Sequence, residues 1–121
     1  MKILIVDDDE RNIFALKAVL TAKKINCVAA PDALQALAIL KAQPDVEMVL
    51  LDMMMPGMDG YEMLSILKKM PEHNRLPVVA VTAQAMPGDK EKCISAGADA
   101  YISKPVDIDR VMEIITTYTT K

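Results

Sequence analysis

No apolar run in this sequence approaches the roughly 20 residues that a membrane-spanning helix needs, so no membrane role is expected. Positive charge is not in excess either. The 14 Lys and Arg stand against 17 Asp and Glu, for a net charge of -3, which leaves no basic footprint for direct nucleic-acid binding. Cysteine is scarce, and Cys27 and Cys93 have no metal-ligand spacing. Nothing resembles a secretory leader, because Lys2 is followed by only four apolar residues before the acids begin. Both thiols are therefore expected to be free, in a cytoplasmic protein. The single histidine, His73, lies in a polar loop over 71–75 without ligand partners nearby and is expected to be solvent-exposed. Repeats, low-complexity tracts and linkers are absent. The 121 residues read as one domain, long enough to bury a core, and a hydrophobic fraction of 52% excludes a disordered chain.

What is present is a regular alternation of short apolar runs with longer segments of helical period. The most informative run, Met48-Val49-Leu50-Leu51-Asp52, ends in a carboxylate and is followed by a segment rich in Met, Pro and Gly. It reads as a buried strand of a parallel sheet with Asp52 at its carboxyl end, the edge where open α/β sheets place their chemistry. Ile3-Leu4-Ile5-Val6 ends likewise in Asp7-Asp8-Asp9, so two strands deliver carboxylates to one edge, and Asp52 is the candidate reacting residue. Strands are predicted over 2–6, 25–29, 48–52, 77–82 and 100–103. Helices are predicted over 10–22, with a stripe of Ile13, Leu16, Val19 and Leu20, and after Pro31-Asp32, with Ala33, Leu34, Leu37, Ile39 and Leu40. Three more are predicted over 60–70 (Met63, Leu64, Ile66, Leu67), 88–95 and 106–118 (Val111, Ile114 and Ile115 inward). Strict β/α alternation implies an α/β fold, with right-handed crossovers and helices on both faces of a parallel sheet. Asp8 or Asp9 is expected to cap the first helix and Asp59 the third. Gly57 and Gly60 are expected to serve turn geometry, and Cys27, Cys93 and most of the ten Met to fill the core.

Four motifs in order then carry a family resemblance: Ile3-Leu4-Ile5-Val6-Asp7-Asp8-Asp9, Leu51-Asp52-Met53-Met54-Met55-Pro56-Gly57-Met58-Asp59-Gly60, Val79-Ala80-Val81-Thr82-Ala83 and Tyr101-Ile102-Ser103-Lys104-Pro105. Over its whole length the sequence resembles a response-regulator receiver domain of two-component signalling. The resemblance implies a flavodoxin-like (βα)5 three-layer sandwich with strand order 2-1-3-4-5. It also implies that Asp52 is the phosphoacceptor, that Asp7 and Asp8 are metal carboxylates, that Thr82 and Lys104 contact the phosphoryl group, and that Thr82 and Tyr101 form a switch. A main-chain carbonyl that the resemblance places at Met54 completes an all-oxygen ligand set with Asp7, Asp8 and Asp52, which suits Mg²⁺. Lys104-Pro105 falls where the family has a cis peptide bond that aims the Lys inward, although X-Pro bonds as a class are mostly trans.

The implied reaction is transfer of a phosphoryl group from a phosphohistidine to Asp52, followed by signalling or relay through a partner surface. The chain is expected to catalyse only its own phosphorylation and dephosphorylation and no reaction on a separate substrate. Expected partners are a histidine kinase or a histidine phosphotransfer protein. The runs Asp9-Glu10-Arg11-Asn12 and Ala83-Gln84-Ala85-Met86-Pro87-Gly88-Asp89 look most like receivers of hybrid histidine kinases, which puts a phosphorelay shuttle ahead of a free-standing regulator. With about three residues after the last helix, residues 1–121 are expected to be a single receiver domain without an output domain. Met54 and Gln84 flank the expected pocket and are read as tuning the phosphoryl lifetime. Other functions fit less well. A flavin site would need a phosphate-cradling loop where three acids stand, and a phosphohydrolase of the Asp-nucleophile type would carry a second Asp at the position of Met54. An interaction module working without phosphorylation would be expected to have lost part of the set Asp7, Asp8, Asp52, Thr82 and Lys104.

Overall fold

The computed structural model describes residues 2–83 and 87–119. Gln84 and Ala85, the first of which was assigned a lifetime-tuning role, lie outside the described residues. The elements alternate without exception: β1 (Lys2–Val6), α1 (Glu10–Ala22), β2 (Asn26–Ala30), α2 (Ala33–Ala42), β3 (Met48–Asp52), α3 (Gly60–Lys69), β4 (Val78–Thr82), α4 (Asp89–Ser95), β5 (Ala100–Ser103) and α5 (Ile108–Thr119). All strand pairs are parallel, in the order β2-β1-β3-β4-β5.

Side chains alternate across the sheet, so each central strand serves two cores. Leu4, Val6, Val49, Leu51, Val78 and Ala80 face Ala36 and Leu40 of α2, Met63, Leu64 and Leu67 of α3, and Cys93 of α4. Ile3, Ile5, Met48, Leu50, Val79 and Val81 face Leu20 of α1 and Val111, Ile114 and Ile115 of α5. This is the three-layer sandwich expected of strands that are apolar on both faces. Three helices begin on an aspartate whose side chain accepts a backbone N–H: Asp9 from Arg11 at 2.9 Å, Asp32 from Gln35 at 2.8 Å and Asp59 from Glu62 at 3.0 Å. Each such cap is worth about 1 kcal/mol.

Several expectations need correction. Ile25 does not open β2, because its N–H bonds the Leu20 carbonyl after Lys24 turns left-handed (φ 66°), and the ladder starts one residue later. Helix α5 starts at Ile108, not 106, because the Asp107 side chain accepts the Asp109 N–H and its carbonyl takes that of Val111. The apolar stripes were read too wide: Val19 is 40% exposed and Leu34 68% exposed, while Ala36, small and overlooked, is fully buried against the sheet. His73 is half-buried rather than exposed, and its Nε2 is sealed from solvent without a hydrogen-bond partner among the described residues. Cys27 and Cys93 are free, as expected. No helix among the described residues is long and apolar enough to cross a membrane.

Candidate functional site

Parallel register sets the site. Val6 lies beside Leu51, so the residues that follow, Asp7 and Asp52, emerge side by side at the carboxyl edge of the sheet. Each carboxylate is fixed by the backbone just beyond it, as in a short Asx turn. The Asp9 N–H donates to Asp7 Oδ1 at 2.8 Å, and the Met54 N–H donates to Asp52 Oδ1 at 3.0 Å. The other oxygen of each faces Lys104, whose Nζ stands 3.2 Å from Asp7 Oδ2 and 3.5 Å from Asp52 Oδ2. Lys104 follows β5 and is held in turn by its own N–H, which donates to the Thr82 carbonyl at 2.8 Å, and the Lys104-Pro105 bond is cis.

Asp7 and Asp52 are each only 4% exposed, whereas Asp8 is exposed, and carboxylate oxygens of the three lie within 4.8 Å of one another. Burial pushes the Asp52 carboxyl above its ordinary range. The Met54 N–H and the Lys104 charge oppose that shift, and the Asp7 charge adds to it. For Lys104, burial acts to lower the ammonium, but Asp52 and Asp7 together outweigh it and the group is held above its ordinary value. Three carboxyl groups share one ammonium, and such a set of oxygen donors fits a hard divalent cation.

The remaining expected residues lie around this centre. Thr82 ends β4, is buried, and pairs in register with Ser103. Met54, two residues beyond Asp52, presents a side chain that is 51% exposed. Tyr101, in β5 beside Ala80, is half-buried, and its hydroxyl donates to Asp89 Oδ2 at 3.1 Å. Asp89 was not singled out from the sequence, where it reads only as a first-turn acid of α4.

The family description for the response regulator receiver domain matches residues 3–116. The chain belongs to this family. Among curated relatives, the polar-differentiation response regulator DivK of Brucella anthropi is 35% identical over 117 residues, which is 96% of this chain and 94% of DivK. Among solved structures, this receiver resembles that of the Pseudomonas aeruginosa sensor histidine kinase PA1611, with 28% identity, a TM-score of 0.87, and coverage of 97% and 95% of the two chains. That receiver carries a magnesium ion in its active-site cleft. It also resembles the receiver of the Saccharomyces cerevisiae response regulator Ssk1, crystallised with the histidine phosphotransfer protein Ypd1, with 25% identity, a TM-score of 0.88, and coverage of 98% and 88%. Receiver domains are signalling domains of two-component systems, and the flavodoxin-like strand order found here is theirs.

Proposed function

We propose that this receiver takes a phosphoryl group from a phosphohistidine onto Asp52 and signals or relays through a partner surface. The observation that carries this reading is the convergence of Asp52, Asp7 and Lys104 at 3.2 and 3.5 Å, with Asp8 at the rim. In the transfer, an Asp52 oxygen attacks phosphorus, the P–N bond of the donor breaks, and the electron pair stays on the departing imidazole. Little covalent help is needed from the protein, so its residues act by position and charge. The Met54 N–H fixes the Asp52 carboxylate, and the Lys104 ammonium, kept protonated by its acidic neighbours, passes from the carboxylates to a phosphoryl oxygen. The Thr82 hydroxyl takes another oxygen. Asp7, Asp8, Asp52 and the Met54 main-chain carbonyl would hold Mg²⁺, which would supply charge neutralisation between two anionic reactants. Thr82 moves toward the phosphoryl group and Tyr101 turns inward behind it, which alters the face made by α4, β5 and α5.

The partner is a histidine kinase or a histidine phosphotransfer protein, met in the cytoplasm, where both free thiols stay reduced. A groove of about 250 Å³ beside Lys104, lined by Leu16, Val19, Pro105, Val106 and Ile108, supports docking of an apolar helical face. The test is incubation with phosphoramidate and Mg²⁺, followed by intact mass and peptide mapping. One phosphoryl group on Asp52, absent in Asp52→Ala, is expected. No gain in mass, or a gain elsewhere, would favour an interaction module that works without phosphorylation.

The phosphoryl lifetime is expected to be long. Hydrolysis needs a water held in line with phosphorus, and Met54, half-exposed at the rim, has no group able to orient one. Met54→Asn is expected to speed phosphate release about tenfold, equivalent to about 1.4 kcal/mol of barrier. A timed phosphate-release assay checks this, and an unchanged rate would place control of water access at another residue.

A further inference from the structure

A cleft of about 820 Å³ opens at the edge of the sheet away from Asp52, between the segments that lead into β3 and β4. Leu40, Val46 and Leu76 give it an apolar lining, the first two buried and the third half-buried. Lys41 and Arg75 line it with exposed side chains, and neither has an acidic partner among the described residues. Among those residues the one acid in the lining is Glu72. Asp45, the next acid along the chain from Lys41, is held by Lys2 at 2.9 Å, and the side-chain oxygen of Gln43 accepts from the same ammonium at 2.8 Å. A cleft with excess positive charge thus sits in a chain whose net charge is -3. His73 lines it too, with its backbone fixed by two turns: its N–H donates to the Met70 carbonyl at 3.0 Å, and its carbonyl accepts the Leu76 N–H at 3.0 Å. Its ring is not satisfied in the same way, because Nε2 is covered and has no hydrogen-bond partner among the described residues. A covered ring nitrogen without a partner is costly, and a ligand that offers the complementary group relieves the cost.

We propose that this cleft binds a small organic phosphate of nucleotide size, with its apolar ring against Leu40, Val46 and Leu76, its phosphate on Lys41 and Arg75, and a polar ring or sugar atom on His73. The volume falls in the range of small-molecule sites, and an apolar lining with a few polar groups is their usual composition. Arg grips a phosphate through two parallel N–H donors, and Lys adds a point charge. An inorganic anion would leave the apolar lining wet and the imidazole unpartnered. A neutral apolar ligand would leave both cations unused, so the lining favours a molecule that has both parts. The length of β3, roughly 15 Å at about 3.3 Å per residue, separates the cleft from Asp52. Binding here is therefore distinct from chemistry at the carboxyl edge and does not depend on the phosphoacceptor reading.

The experiment follows amide resonances in chelator while AMP, adenosine or inorganic phosphate is added to wild type, Lys41→Ala, Arg75→Ala and His73→Phe. In wild type, AMP is expected to move the resonances of residues 40–46 and 71–76 saturably and to leave those of Asp7, Asp8 and Asp52 in place. Adenosine and inorganic phosphate should each bind at least about tenfold more weakly, because each supplies only half of the contacts. Lys41 and Arg75 are exposed, so their variants should fold as wild type does, and each should weaken AMP roughly five- to tenfold, as expected for loss of a charged hydrogen bond. His73→Phe keeps a ring of similar bulk and removes the unpartnered nitrogen. It should bind AMP roughly threefold more weakly while melting no lower than wild type. Resonances of the cleft unmoved at millimolar AMP, or shifts centred on Asp52 instead, would overturn the site. Inorganic phosphate binding as well as AMP would mean an adventitious ion only, and adenosine binding as well as AMP would leave the cations without a part. AMP affinity unchanged in Lys41→Ala, in Arg75→Ala or in His73→Phe would overturn the assignment as well.

Discussion

Replacing Asp52 by Asn is expected to abolish phosphoryl uptake and to make the metal-free protein more stable, by about 1–2 kcal/mol. Asp52 and Asp7 are both buried, and two like charges at about 4 Å repel by about 4 kcal/mol at an effective dielectric near 20. Lys104 offsets part of that, and the variant forfeits its pairing with Asp52 while keeping the one with Asp7. Asn can still accept the Met54 N–H through its own oxygen, so the loop after β3 keeps its anchor. The pH dependence has a definite sign. Asp52 is raised in the folded protein, chiefly by burial, so it binds a proton more readily there than in the unfolded chain. Its favourable contribution is complete below the ordinary carboxylate value and is lost as pH rises through the raised one. In chelator, the advantage of Asn over Asp should therefore vanish on acidification below about pH 4 and be full near neutrality. Urea unfolding of the two proteins across that range measures it. Mg²⁺ should stabilise wild type by about 2.7 kcal/mol at roughly 100 times its dissociation constant, and the variant much less. A wild-type melting curve unmoved by millimolar Mg²⁺, beside an Asn variant no more stable than Asp, would remove the shared cation pocket.

Gly60→Ala should be the more damaging of two neighbouring glycine substitutions, costing about 3 kcal/mol. A Cβ at position 60 would stand 2.6 Å from Met53 Sδ, 2.7 Å from Met53 Cα and 3.0 Å from the Asp52 carbonyl oxygen. The thioether can swing away, but the two backbone atoms belong to the last residue of β3 and the residue after it, and cannot yield without moving Asp52. At Gly57 a Cβ meets open space, and the cost is only that of a side chain at φ +76°, about 1 kcal/mol. Denaturant midpoints separate the two. Phosphoryl uptake from phosphoramidate should fall in Gly60→Ala even where the protein remains folded, and Gly57→Ala should retain it. Equal losses would mean that the loop after β3 can shift without disturbing Asp52.

Much of this was legible because the signals were local. The boundaries of β1, α1, β3 and β5 could be read from apolar runs that stop at acids, turns or polar breaks, and Asp59 could be read as a cap from its place before a helical pattern. What failed depended on neighbours distant in sequence. Helical period marks Ile13, Leu16, Val19 and Leu20 as one stripe, but only Leu20 is fully buried, Ile13 and Leu16 pack partly against the core, and Val19 is exposed. Gly60 looked like a turn residue beside Gly57, yet its need is for close approach to Met53, which only the packed structure reveals. His73 sits in a run of polar residues with nothing to suggest that its ring nitrogen is covered. Asp89 stands twelve residues from Tyr101, on a different element, and no pattern links them.

Asp7, Asp52, Thr82 and Lys104 all stand at or just past the ends of strands, where ladder hydrogen bonds and register fix them. Other exposed apolar side chains project from helices instead, Phe14 and Val19 from α1 and Ile94 from α4. Substitutions at these helix positions leave the strand ends untouched, so duplicated copies of such a chain can drift apart in the partners they recognise while the reacting atoms stay in place. On the proposed phosphoacceptor reading, a pathway can thus be rewired by altering a few exposed apolar residues, with the chemistry inherited unchanged.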